Sequence, residues 1–270
     1  NGPSTSRWTL QLSSNMIHID VEENTIGKHY PVRLGIVADL KLALQDIAAE
    51  IKAPDNAERK AWVDQLQLRK ADWEKTAFPD EYDRISPVKP QTVVRYLSQF
   101  MKDDAIVSAD AGNAGIWTHL LYTKENTLYM KPVNFGNMGF ALPAAIGAKK
   151  AHPDREVFVV VGDGSLGMSL AEIETAVRCN LAMTILLMNN QSYGNIKQEQ
   201  VWLFKSERYI GVDFDEADYV AIAKAFGADG ERVDTPEQLI PAMERARAHG
   251  GVYLIDIRMD NSENIWYKPF

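Results

Sequence analysis

The sequence predicts an α/β fold: a doubly wound, mostly parallel sheet preceded by the end of a second α/β domain. Three observations predict it. "EVFVVV" (156–161) and "LAMTILLM" (181–188) are nearly continuous apolar runs, as expected of strands buried on both faces of a parallel sheet. Segments with helical periodicity stand between such runs, which gives βα alternation. Hydrophobic residues make up 46% of the 270, enough to bury a sizeable core.

The elements follow in chain order. "SSNMIHIDVEENTIGKHY" (13–30) reads as a strand and an acidic turn. "VADLKLALQDIAAEIKA" (37–53) places Val37, Leu40, Leu44, Ile47 and Ile51 at a helical period. One strand and one helix cannot close a core, so residues 1–53 read as the C-terminal part of a domain. Residues 54–86 read as a linker. It opens with "APDN", carries the charged helix "RKAWVDQLQLRKADWEK", and has prolines at 79 and, just beyond, at 87 and 90. Residues 87–270 form the main domain. "PQTVVRYLSQFM" is a helix with Pro90 in its first turn. "AIVSADAG" is a strand ending in small residues, and "ALPAAIGAKKA" is a tightly packed helix. "DYVAIAKAFG" and "PEQLIPAMERARAHG" are helices, and "VYLIDI" is the last strand.

Composition excludes several classes. The net charge is −8, with 29 basic and 37 acidic residues, which argues against general nucleic-acid binding. The single cysteine, Cys179, excludes an internal disulfide framework and fits a reducing cytoplasm. Its place between two strands predicts a core position. No run of 18 apolar residues predicts a membrane span. His18, His29, His119, His152 and His249 show no metal-ligand spacing.

The chemistry gathers where strands end. Ligands of doubly wound sheets bind beyond the carboxyl ends of strands. Asp163 follows "EVFVVV", within Gly162-Asp163-Gly164, and Asn189-Asn190 closes the next apolar run. If the two strands are neighbours, Asp163 and Asn190 share one crevice. Carboxylate and amide oxygens are hard ligands suited to Mg²⁺, which keeps few protein ligands and binds substrate phosphates as well. A helix starting near Ser169 would aim amide N–H groups at an anion. The residues thus suggest a Mg²⁺–diphosphate site, although each motif alone is also an ordinary turn.

Gly-Asp-Gly, 24 intervening residues, then Asn-Asn resembles the thiamine diphosphate motif of the family that includes acetolactate synthase, pyruvate oxidase, benzoylformate decarboxylase and sulfoacetaldehyde acetyltransferase. "FGNMGFALPAAIGA" (135–148) is similar to the family's aminopyrimidine segment, and "DAGN" (110–113) to its first diphosphate loop. "SYGNIKQEQ" (192–200) is similar to pyruvate oxidase, "GMSLAEIETAVRCN" (167–180) to sulfoacetaldehyde acetyltransferase, and "IHIDVEENTIGKHY" to the end of the family's central domain.

The resemblance implies roles. Asp163 and Asn190 would bind Mg²⁺ through side-chain oxygens, and Ser192 through its carbonyl. Gly164 and Ser165 would donate to the diphosphate, helped by Gly112 and Asn113. The Gly136 carbonyl would accept from the cofactor's amino group, and Met138 would wedge the cofactor into its bent shape, a task for a bulky, adaptable side chain. Glu199 matches a glutamate near the substrate in pyruvate oxidase, where acetolactate synthases usually have tryptophan. It could relay protons, or it could be a solvated helix charge. Asn195 and Ala114 depart from the family's specialised patterns: pyruvate oxidase usually has an aromatic at the first, and acetolactate synthase often histidine at the second. Trp266 and Tyr267 either close over the site or fray.

The implied activity is thiamine diphosphate- and Mg-dependent cleavage or formation of a C–C bond beside a carbonyl, of acetolactate synthase type, on a 2-oxo acid. Alternatives are pyruvate oxidase or phosphate-dependent acetyltransferase chemistry on an acyl substrate, a 2-hydroxyacyl-CoA lyase, or a non-catalytic cofactor-binding module. FAD could bind the central domain. The resemblance also implies a pyrimidine-binding domain with an activating glutamate, from upstream sequence or another chain, and a homodimer or tetramer.

Overall fold

The computed structural model describes residues 11–51, 57–120 and 124–263; Trp266 and Tyr267 lie outside them. Contacts divide the chain into two compact units, residues 1–69 and 70–270.

The first unit contains β1 (Ile17–Asp20) and β2 (Leu34–Val37), paired in parallel with Ile17 opposite Leu34. Helix α1 (Leu40–Glu50) follows. Asp39 caps it, its side chain accepting from the Leu42 N–H at 3.0 Å. That cap corrects the sequence reading: the helix begins at Leu40, and Val37 ends a second strand that the helical period had absorbed. None of this unit's described residues is buried. A two-stranded sheet and one helix offer too little area for a core.

Helix α2 (Ala57–Ala77) is the charged helix the sequence predicts, and it crosses the boundary between the units. In the second unit α3 (Pro90–Phe100) carries Pro90 in its first turn, where the missing N–H is not needed. Then come β3 (Ile106–Ala109), α4 (Gly112–Trp117), β4 (Leu128–Met130), α5 (Ala141–Ala151), β5 (Val157–Gly162), α6 (Asp163–Gly167), α7 (Glu172–Arg178) and β6 (Met183–Asn189). The unit continues with α8 (Gly194–Phe204), α9 (Tyr219–Ala225), β7 (Asp229–Val233), α10 (Leu239–His249) and β8 (Val252–Arg258).

The six strands form one parallel sheet in the order β4-β3-β5-β6-β8-β7. Period-2 alternation sends neighbouring side chains to opposite faces. Phe158 and Val160 join one core with Val94 and Leu97 of α3 and Met243 of α10. Val157, Val159 and Val161 join the other with Leu142 of α5, Ile173 of α7 and Ala223 of α9. Both faces are covered, so β5 and β6 are continuous apolar runs.

Two edge strands, β4 and β7, carry no such run and are not visible in the sequence. Two further expectations are corrected. No helix starts at Ser169: α6 begins at Asp163, directly after β5, and α7 at Glu172, with Ser169 in the turn between. Cys179 is exposed: it is the C-cap of α7, beyond the buried Ile173 and Ala176 and between exposed Arg178 and Asn180. Among the described residues, no helix is long and apolar enough to cross a membrane.

Candidate functional site

Strands β5 and β6 are hydrogen-bonded neighbours, with Gly162 opposite Met188. Their carboxyl ends therefore deliver Asp163 and Asn190 to one place. A cleft of about 200 Å³ opens there. Its lining includes Gly112, Asn113, Gly136, Met138, Asp163, Gly164, Ser165, Asn190 and Ser192. The structure thus gathers nine of the ten candidate residues. Glu199 is the exception: it sits half-buried on α8, outside the lining.

Asp163 is 2% exposed. Its Oδ1 accepts from the Gly164 N–H at 2.7 Å, and its Oδ2 from the Ser192 N–H at 3.2 Å. Burial pushes its pKa up to about 6, against the backbone N–H groups of Gly164, Gln191, Ser192 and Asn190, which pull it down. A buried carboxylate held by amides, with no salt bridge among the described residues, suits a metal ion. Burial first, then the charge of Asp163, drives the Tyr219 hydroxyl up to about 12.

The two asparagines divide their work. Asn189 is buried, and its Nδ2 donates to Oδ1 of buried Asp256 on β8 at 2.9 Å. Its own Oδ1 accepts from the Gln191 N–H at 3.2 Å and shapes the turn. Only Asn190 lines the cleft, its Oδ1 accepting from the Ser192 N–H at 3.2 Å.

Two glycines allow close approach. A Cβ on Gly164 would lie 2.5 Å from the Tyr193 ring and 3.3 Å from Phe214. Those rings stack edge-on with centroids 4.5 Å apart. A Cβ on Gly194 would lie 2.5 Å from Asn190 Nδ2 and 3.0 Å from Asn113 Nδ2.

Asp110, fully buried at the end of β3, fixes a second part of the cleft. Its carboxylate accepts from the N–H groups of Ala111 at 2.8 Å, Gly139 at 3.0 Å and Ala141 at 2.7 Å. It thereby ties the start of α4, which carries Gly112 and Asn113, to the segment after the loop that carries Gly136 and Met138. Lys131 adds a second tie, donating to the Gly115 carbonyl and to His119 Nε2 at 2.8 and 2.9 Å.

Among the described residues, three buried polar atoms of the lining have no protein partner: Asn113 Oδ1, Ser192 Oγ and Asn195 Oδ1. Buried groups of this kind favour a ligand that hydrogen-bonds them. Among the described residues no three His, Cys, Asp or Glu side chains cluster to hold a metal. A cation here would take one carboxylate, one amide oxygen and one carbonyl, which leaves room for phosphate oxygens, as Mg²⁺ prefers. The donor set fits a Mg²⁺–diphosphate group.

Sequence reading placed Asp110 in a site motif without giving it a role, and it missed Tyr193, Gly194, Gln198, Asn261 and Glu263 as contributors to the site. Tyr193-Gly194 directly follows the Asn-Asn turn and was findable. The others are set by tertiary contacts with no local pattern.

Residues 110–257 match the family model described as thiamine pyrophosphate enzyme, C-terminal TPP binding domain. The chain is 30% identical over 274 residues to a probable acetolactate synthase large subunit of Methanococcus aeolicus, covering 95% of this chain and 45% of that protein. It is 32% identical over 257 residues to a sulfoacetaldehyde acetyltransferase of Alcaligenes xylosoxydans xylosoxydans, covering 87% and 42%. The thiamine diphosphate-dependent 4-hydroxybenzoylformate decarboxylase of Rhodococcus jostii RHA1 superposes with a TM-score of 0.74 at 23% identity, over 92% of this chain and 45% of that one. At that identity the likeness shows the fold. The chain spans less than half the length of these relatives.

Proposed function

The chain belongs to the thiamine pyrophosphate enzymes, and from that premise we propose that it is the diphosphate-binding part of an enzyme that makes or breaks a C–C bond beside the carbonyl of a 2-oxo acid. The observation that carries the proposal is the meeting of Asp163, Asn190 and Ser192 beyond the adjacent strands β5 and β6, in one cleft with Gly136 and Met138. In this reading Asp163, Asn190 and the Ser192 carbonyl hold Mg²⁺. Gly164, Ser165, Gly112 and Asn113 face the diphosphate. Gly136 and Met138 orient the rest of the cofactor. When bound, thiamine diphosphate would supply a nucleophilic carbon for the substrate carbonyl and a cationic ring to hold the electrons of the bond broken beside it. The chain's own residues bind, orient and exclude water.

Acetolactate-type carboligation is the form of the activity most in keeping with the relatives. The oxidase and phosphate-dependent acetyltransferase readings leaned on Glu199, which lies outside the cleft lining. In this reading the activating glutamate and its pyrimidine-binding domain come from upstream sequence or from another chain, within a homodimer or tetramer. Occupancy of the central domain by FAD is a separate question for the complete protein.

The test is calorimetric titration of the complete protein with thiamine diphosphate, with and without Mg²⁺, followed by product analysis on pyruvate. Mg²⁺-dependent binding and a condensed 2-hydroxy-2-alkyl-3-oxo acid product are expected. Absence of cofactor binding would sink the proposal, and decarboxylation to an aldehyde alone would move the activity to the decarboxylase branch.

A further inference from the structure

The segment that follows β8 forms one wall of the cleft: Met259, Asp260, Asn261 and Glu263 all line it. A buried cation holds this segment. The Lys89 ammonium, just before α3, donates to Ser262 Oγ at 2.8 Å and Glu263 Oε1 at 3.2 Å, and lies 3.2 Å from Asp260 Oδ2. An ammonium has three donors, and one short segment supplies an oxygen for each. The Lys89 and Glu263 side chains are 8% and 6% exposed.

Two carboxylates around one buried cation leave excess negative charge, and the surroundings answer it. Tyr82 Oη donates to Glu263 Oε1 at 3.1 Å, and Gln91 Nε2 donates to Oε2 at 3.2 Å. Burial raises the Asp260 pKa, but hydrogen bonds from Ser262 and Lys89 outweigh it and keep the carboxyl below its ordinary value.

The locked segment then reaches into the site twice. Asn261 Nδ2 donates to the Asn190 carbonyl at 2.9 Å. The Glu263 carbonyl accepts from Gln198 Nε2 of α8 at 2.8 Å. One contact fixes the turn that presents Asn190, and the other fixes a cleft-lining side chain of α8.

We infer that Lys89 and Glu263 are positioning residues: their buried pair locks residues 259–263 as a wall that holds Asn190 in its metal-binding pose. The inference rests on the Mg²⁺–diphosphate reading of the cleft. Removing the cation takes away the donor that Asp260, Ser262 and Glu263 share, so the segment lifts and Asn261 releases Asn190.

The experiment uses the complete protein with Mg²⁺ and thiamine diphosphate. Lys89→Met should weaken Mg²⁺-dependent cofactor affinity by ~10- to 100-fold, the usual effect of losing a group that orients a metal ligand. Hydrogen exchange should quicken at residues 259–263 while β5 and β6 stay protected. Lys89→Arg should restore most of the affinity. A merely structural role would lower the unfolding midpoint without this rescue of affinity. If Lys89→Met does not fold, Asn261→Ala removes only the exposed amide that grips Asn190, and a loss of about 3- to 10-fold is expected by the same reasoning. Wild-type affinity in Asn261→Ala, or wild-type affinity and exchange in Lys89→Met, overturns the lock. Asp163→Ala separates the two claims. Loss in Asp163→Ala without loss in the lock variants overturns the lock alone, whereas no loss in any of them overturns the cofactor reading and the lock with it.

Discussion

Asp163 Oδ2 accepts the Ser192 N–H at 3.2 Å, so the loop after β5 is tied to the loop after its neighbour β6. One carboxylate thereby spans both halves of the candidate metal site.

Replacing it tests the site most directly. Asp163→Ala should abolish Mg²⁺-dependent binding of thiamine diphosphate, a loss of at least ~100-fold, or about 3 kcal/mol. The diphosphate loses the cation that neutralises it. Circular dichroism should stay near that of the parent, because the β-sheet beneath does not depend on this side chain. Undiminished affinity by calorimetry would remove Asp163 from the metal site.

Gly164→Ala should destabilise the second unit by about 1–3 kcal/mol, the usual cost of forcing extra volume into a packed site. The new Cβ would stand 2.5 Å from the Tyr193 ring, which is itself stacked on Phe214. Urea denaturation of the parent and variant measures the difference. A midpoint equal to the parent's would mean that the aromatic pair yields freely.

Met138→Ala separates anchoring from orientation. Met138 lines the same cleft as Asp163. The expected pattern is a several-fold loss of cofactor affinity and a larger loss of turnover, since correct orientation is what accelerates the chemical step. Parent-level turnover in the complete enzyme would reduce Met138 to packing.

His119 gives the fold an acid-side weakness. Its pKa is lowered, first by burial and then by Lys131, whose ammonium donates to its Nε2 at 2.9 Å. The folded-state pKa lies below the ordinary value of 6.5. The contribution to stability is therefore present above pH 6.5 and is lost as pH falls through the folded value, because the unfolded chain binds the proton more readily. His119→Gln keeps an acceptor for Lys131 and cannot be protonated. Its stability should fall less steeply with acid, by at most about 1.4 kcal/mol per pH unit for one proton. Parallel pH–stability curves for parent and variant would exclude His119 as the cause.

The legible part of the molecule is its centre. The apolar runs at 156–161 and 181–188 signal strands buried on both faces, and their neighbouring ends bring Asp163 and Asn190 together. The edges are less legible. Leu128–Met130 is three residues long, and Asp229–Val233 reads as polar, since an edge strand need not bury both faces. The doublet Asn189-Asn190 shows how far local reading reaches. Both side chains look aimed at the crevice, yet Asn189 is claimed by Asp256, 67 positions away. Lys89 and Glu263, 174 positions apart, leave no periodic or motif signal at all. Cys179 misled because its segment lies between core strands, while the residue itself caps the helix on its outer side.

The wall at residues 259–263 also sets an order of events during synthesis. Its partners Tyr82, Lys89 and Gln91 emerge from the ribosome 172 to 181 positions ahead of Glu263. Strand β8, which pairs with β6 in the middle of the sheet, is the last strand of the unit to appear. A nascent chain that has reached Gly250 already carries Asp163, Asn190 and Met138, but neither the strand nor the wall that encloses them. Enclosure of the cleft is thereby deferred until the unit has been translated through Glu263.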